Sequence, residues 1–164
     1  VTSVNDLPTG APTGTVVDGT EDTAQTILAS TLLQGFSDVE GQTLSVSNIS
    51  VDNGTLATTT GGWIFTPAAN YNGPVTVTYT VSDGNGGTLA DQTRNFSLSA
   101  VDDVPVANAA SFSVAEDGTL TSSVTGSDVE TVSPTYVLTT GPANGTLAFN
   151  ADGTFTYTPT ANYH

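Results

Sequence analysis

The chain has 164 residues, 16 acids and one base, Arg94, giving a formal net charge of −15 at pH 7. It contains no lysine, cysteine or methionine, and its single histidine, His164, is the last residue. These counts exclude a disulfide framework, a thiol nucleophile and a cysteine zinc site, as well as a Schiff-base lysine, a lysine-derived isopeptide cross-link and a phosphate-cradling P-loop, and they leave a catalytic triad or multi-histidine metal site only a terminal residue.

A chain this acidic repels nucleic acid and anionic membrane, both of which need clustered cations. It attracts cations instead. Thr (31) and Ser (15) make up 46 residues, and Gly adds 17. Thr and Val favour strands, while Gly, Asn and Asp favour turns. The 37% hydrophobic content is enough for packed cores, so the charge does not imply disorder. No apolar run approaches the roughly 20 residues that span a membrane. No signal peptide is visible, and the sequence opens mid-pattern at Val1, which reads as part of a longer protein.

Along the chain, the acidic segment Val4-Asn5-Asp6-Leu7-Pro8 comes first, then Glu21-Asp22 and Ser37-Asp38-Val39-Glu40. Asn53-Gly54-Thr55-Leu56 leads to a turn at Thr60-Gly61-Gly62 and to the alternating pair Trp63 and Phe65. Val75-Thr76-Val77-Thr78-Tyr79-Thr80-Val81 alternates apolar and polar residues and predicts a half-buried strand. Phe96, Leu98 and Ala100 alternate with Ser97 and Ser99 in the same way. Each landmark then returns. Val101-Asp102-Asp103-Val104-Pro105 repeats the first segment, followed by Glu116-Asp117, Ser127-Asp128-Val129-Glu130, Asn144-Gly145-Thr146-Leu147, Tyr157-Thr158-Pro159 and Asn162-Tyr163. Successive offsets of 97, 95, 90, 91, 92 and 92 define a repeat of about 95 residues. Within the second copy, Phe112 and Val114 around Ser113 predict a strand, and 147–157 predicts a hairpin turning at Asn150 to Gly153.

Short strands with turn signals every 8–12 residues predict an all-β fold of tandem Greek-key β-sandwich repeats, of the Ig type, the second one truncated. The predicted division is 1–8, the end of a preceding repeat with its linker; 9–100, repeat 1; 101–105, an acidic linker; and 106–164, an incomplete repeat 2 without counterparts of Gly73 through Ala100. His164 is either native or the start of a tag.

The run Phe65-Thr66-Pro67-Ala68-Ala69-Asn70-Tyr71-Asn72-Gly73, followed by 75–87, resembles the bacterial cadherin-like tandem repeats of giant secreted, RTX-type adhesins. The resemblance covers one full repeat and roughly two-thirds of a second. It implies a secreted, non-catalytic sandwich at the bacterial cell surface that binds Ca2+ where repeats meet. On that pattern the Asp-x-Asp loop corresponds to Asp38-Val39-Glu40 and Asp128-Val129-Glu130, and the linker acids to Asn5-Asp6 and Asp102-Asp103. The glutamate of the first strand region corresponds to Glu21 and Glu116, and the late loop acid to Asp83. Asn70-Tyr71-Asn72 stands where cadherins carry Asp-Arg-Glu, which removes two carboxylates and implies one or two ions rather than three.

The resemblance thus implies one calcium site made of Glu21, Asp102, Asp103, Asp128 and Glu130, with Asn70 adding a neutral oxygen, and a second, weak or empty, of Asn5, Asp6, Asp38, Glu40 and Asp83 facing a preceding repeat. Calcium's preference for 6–8 hard oxygen ligands agrees with these residue types. A merely solvated acidic surface would scatter its charge. Here the acids fall in repeated doublets, and 55–82 contains none. The expected partners are adjacent repeats of the same chain, with a cell-surface glycan or protein as the adhesion target. The alternative is a carbohydrate-binding module, for which Trp63 would be the stacking platform; its alternation with Phe65 points to core instead. Tyr71 reads as a structural corner residue, and Arg94 as the partner of an acid on the sheet surface. An enzyme using Asp102-Asp103 as general acid and base is the least favoured class, because the same acids repeat with no catalytic partner.

Overall fold

The computed structural model describes residues 4–163, so His164 lies outside the described residues. The chain divides into two compact units, Val1–Val101 and Asp102–His164.

The first unit runs β1 (Thr9–Gly10), β2 (Gly19–Thr20), β3 (Gln25–Leu28), a one-turn helix α1 (Ala29–Leu32), β4 (Phe36–Ser37), β5 (Ser45–Val51), β6 (Gly54–Thr59), β7 (Gly62–Pro67), β8 (Gly73–Ser82) and β9 (Thr88–Ser99). One sheet has the order β2-β9-β8-β5 and the other β3-β7-β6, with β1 and β4 paired apart from both. β2 runs parallel to β9, while the other pairs are antiparallel. Two sheets that each have one apolar face must bury those faces, and the stable solution is a two-layer sandwich. Val75, Val77, Tyr79 and Val81 of β8 and Phe96 and Leu98 of β9 supply one layer of the core; Ile27 and Phe65 supply the other. Phe65 meets Phe96 edge to face, with ring centroids 5.2 Å apart. Trp63 is half-buried against this core, as its alternation with Phe65 requires.

Two local devices keep the pattern in phase. β5 slips register against β8 between Ser47 and Ser50, and Asn48 holds φ at 48° there. The extra residue lets both Val46 and Ile49 turn toward the core. Tyr71 donates its hydroxyl proton to the carbonyl of Pro74 at 2.7 Å and fixes the entry into β8. It is the corner residue that the sequence predicts.

The second unit carries β10 (Val106–Ala107), β11 (Leu120–Ser123), β12 (Gly126–Ser127), β13 (Gly145–Phe149) and β14 (Thr154–Pro159). β10 pairs with β12, and the second sheet has the order β11-β14-β13. The predicted hairpin is present: Asn150 N donates to Thr154 O and Gly153 N to Asn150 O, closing the turn. The strand predicted at Phe112 and Val114 is absent. Alternation supplies a face but not hydrogen bonds. In the first unit the corresponding segment reaches a ladder only through β9, and the described residues of the second unit hold no counterpart of β8 or β9.

Arg94 also departs from expectation. It shares a face of β9 with Phe96 and Leu98, so it points inward, half-buried, and its Nε finds no hydrogen-bond partner among the described residues. Period-two alternation overrides the preference of a charge for the surface. Burial raises the Tyr79 pKa, and the Arg94 charge partly offsets that rise.

Candidate metal centre

Hydrogen bonds within the first unit link Asn5, Asp6, Asp38, Glu40 and Asp83. Asp83 follows β8 and is only 4% exposed. Its Oδ1 accepts from the backbone N–H groups of Asn85 and Gly87, at 2.7 and 2.9 Å, and its Oδ2 accepts from Asn5 Nδ2 at 2.8 Å. Burial pushes the Asp83 carboxyl up, but these hydrogen bonds outweigh it and hold the group below the usual carboxylate range. A side chain on Gly87 would strike Asp83 Oδ2 and come within 3.0 Å of the Asp6 carbonyl oxygen, so glycine leaves an oxygen-lined cradle open here. Asp38 Oδ1 caps its own loop, accepting from the N–H groups of Glu40 (2.9 Å) and Gln42 (3.1 Å). Glu40 Oε2 accepts from the Asp6 N–H at 3.1 Å, and Gln42 Nε2 donates to Asn5 Oδ1.

Two oxygens of this network are left over. Asp38 Oδ2 and Gln42 Oε1 are buried and have no hydrogen-bond partner among the described residues. An unsatisfied buried acceptor costs about 1–3 kcal/mol, and more when charged. Buried carboxylate and amide oxygens of this kind are the donor types that a hard cation takes, together with backbone carbonyls. Among the described residues, no three acidic or histidine side chains converge as a metal-holding group. The fit therefore depends on mixed oxygen donors. Sequence reasoning missed Gln42; the available signal was an amide oxygen two residues beyond Glu40.

Glu21 directly follows β2 and is fully buried. Its Oε1 accepts from the Val101 N–H at 2.7 Å, its Oε2 from Asn72 Nδ2 at 3.3 Å, and its own N–H donates to Ser99 O. The amide side chain bonded to Glu21 is thus Asn72. Asn70 instead takes a left-handed turn, with φ of 56°, and gives its N–H to Asp22 Oδ1.

The second unit rebuilds part of the arrangement. Asp103 N donates to Glu130 Oε2 at 2.9 Å, as Asp6 does to Glu40. Asp128 Oδ1 accepts from the Thr131 N–H at 2.6 Å. Asn162 N donates to Asp117 Oδ1, as Asn70 does to Asp22. Asp102 is exposed, and so is Glu116, the counterpart of buried Glu21.

A sandwich of this topology with acids recurring at equivalent loop positions is a cadherin- or Ig-like repeat. Residues 4–99 match the family model of the cadherin-like domain, and residues 102–164 match that of the bacterial Ig domain. The chain belongs to the cadherin-like domain family. No curated protein sequence matches it. Among solved structures, the endo-fucoidan hydrolase MfFcnA4 of glycoside hydrolase family 107 is similar over 94% of this chain and 24% of that one, at 19% identity with a TM-score of 0.42; a substituted form of it gives 0.44. MfFcnA9, of the same family, gives 20% identity over 94% of this chain and 30% of that one, with a TM-score of 0.34. The chain thus spans less than a third of those enzymes. No helix among the described residues is long and apolar enough to cross a membrane.

Proposed function

We propose that this chain is a non-catalytic structural and adhesive module of a secreted bacterial surface protein, stabilised by calcium bound at its acidic loops. Family membership supports an extracellular structural or adhesion role. The observation that carries the calcium reading is the pair of buried, unpartnered oxygens, Asp38 Oδ2 and Gln42 Oε1. Asp38, Gln42, the Asp6 carbonyl and Asp83 are the residues that would hold the ion, and the ion would supply the positive charge this loop cluster lacks. Recurrence of the Asp6–Glu40 hydrogen bond as Asp103–Glu130 supports a second, partial version of the loop in the next repeat. Extracellular modules bind calcium at about 10⁻⁴–10⁻³ M, and we expect that range here.

Titration calorimetry tests this directly. Calcium should release or absorb heat at a saturable site in the parent chain. Asp38→Asn should weaken it at least tenfold, whereas Asp91→Asn, an exposed acid of β9, should leave it unchanged. Absence of a saturable site, or equal affinity in Asp38→Asn, would show that these oxygens hold no ion.

A further inference from the structure

Asn53, Asn72, Asn85 and Asn144 each precede a glycine. Such a pair can cyclise, because the glycine backbone nitrogen can reach the asparagine carboxamide with no side chain in the way. The ring closes only where the backbone between the two residues can rotate, and three of the four pairs are held. Gly54, Gly73 and Gly145 open β6, β8 and β13, where they pair with Pro67, Leu98 and Pro159. A side chain on Gly54 would strike the Phe65 ring and one on Gly145 the Tyr157 ring, so both backbones pack against an aromatic side chain. The carbonyls of Asn53 and Asn144 accept the N–H groups of Ala68 and Thr160, at 3.0 and 3.1 Å. The Asn72 carboxamide is engaged as well, donating to Glu21 Oε2.

Asn85 has none of these restraints. It is exposed between Gly84 and Gly86, in the loop that joins β8 to β9. Side chains added at Gly84 and Gly86 would meet nothing within 4 Å, so the crest of the loop stands in open solvent. Among the described residues, neither the Asn85 carboxamide nor the Gly86 N–H forms a hydrogen bond. The neighbouring dipeptide Asp83-Gly84 is protected, since the Asp83 side chain is buried and both of its oxygens are bonded. We propose that Asn85 is a site of spontaneous covalent modification, in which the Gly86 nitrogen attacks the Asn85 carboxamide carbon and ammonia leaves. The new C–N bond replaces the one to the amide nitrogen, which departs with the Gly86 proton, and water then opens the cyclic imide to aspartate or isoaspartate. The isoaspartyl product routes the chain through the former side chain and adds one methylene to the backbone between Asp83 and Gly87. The N–H groups of residues 85 and 87, which meet Asp83 Oδ1 at 2.7 and 2.9 Å, then fall out of step with it. Modification of one exposed amide thus loosens the loop that Asp83 organises.

The test ages the whole chain in mildly alkaline buffer containing chelator, so that its outcome does not depend on an ion in the loop. Peptide mapping by mass spectrometry then follows the amide-to-acid exchange at each asparagine. Asn85 should react at least tenfold faster than Asn53, Asn72 and Asn144, and isoaspartate should be found at position 85. In denaturant all four pairs should react at similar rates, because the fold no longer restrains three of them. The aged parent should show a lower denaturant midpoint for the first unit, whereas Asn85→Ser, aged in parallel, should keep its starting midpoint. The proposal is overturned if Asn85 reacts no faster than the other three in the folded chain, or if its preference persists in denaturant. Equal loss of midpoint in the aged parent and in aged Asn85→Ser would overturn the effect on the Asp83 loop.

Discussion

Asp83 organises its loop through four atoms: two carboxylate oxygens and the two backbone nitrogens that one of them satisfies. Its carboxyl is held below the 3.8 it would have in the unfolded chain, so the folded state favours its ionised form. That stabilisation is present above pH 3.8 and is lost as the pH falls through the lower folded value. Denaturant midpoints at pH 7 and pH 3 should therefore differ more in the parent than in Asp83→Asn, and an equal difference would contradict the assignment. Gly87→Ala should lower the midpoint at both pH values, because the new methyl group displaces Asp83 Oδ2. At this scale the sequence was partly legible. Repetition picked out Asp38, Glu40, Asp103 and Glu130 as loop acids. It could not pick out Gln42, which carries no charge and has no matching residue in the second copy, nor could it separate Asn72 from Asn70, which differ only in which way a tight turn directs them.

Strand alternation was the most readable signal at the level of elements. The run at 75–81 became β8, and the pattern at 96–100 became the end of β9. It failed at Phe112 and Val114 for a physical reason: a strand needs a neighbour to take its hydrogen bonds, and periodicity contains no information about that neighbour. Arg94 is the converse case, where phase decided the direction of a side chain whose chemistry suggested the other face. On the neighbouring strand, where Val77 faces Arg94 and Tyr79 faces Gln92, Tyr79 donates its hydroxyl proton to the Leu32 carbonyl at 2.7 Å. Burial raises its pKa above 10.0, partly offset by the Arg94 charge. Tyr79→Phe should leave that carbonyl unsatisfied and cost about 1–3 kcal/mol in chemical denaturation. A change within error would mean that water replaces the hydroxyl.

The chain divides into two compact units that differ in the sheets their described residues form. The first has two sheets around one core; the second has a single three-stranded sheet and a short strand pair. Calorimetry should therefore resolve two transitions, the first unit melting higher. Phe65→Ala, which empties a fully buried site, should cost about 3–5 kcal/mol and move only the upper transition. The repeat made this two-part organisation readable from the sequence, since six landmarks recur in one order. The proposed ion site was not, because its oxygens are defined by burial and by their lack of partners among the described residues. The central claim is that calcium stabilises this chain. Its most direct test is thermal unfolding in chelator and then in about 10 mM calcium, roughly 100-fold above a dissociation constant of about 10⁻⁴ M. Linkage at that excess adds about 2.7 kcal/mol, so the upper transition should rise by on the order of 10 °C, and Asp38→Asn should abolish most of the rise. An upper transition at the same temperature in chelator and in calcium would contradict the account.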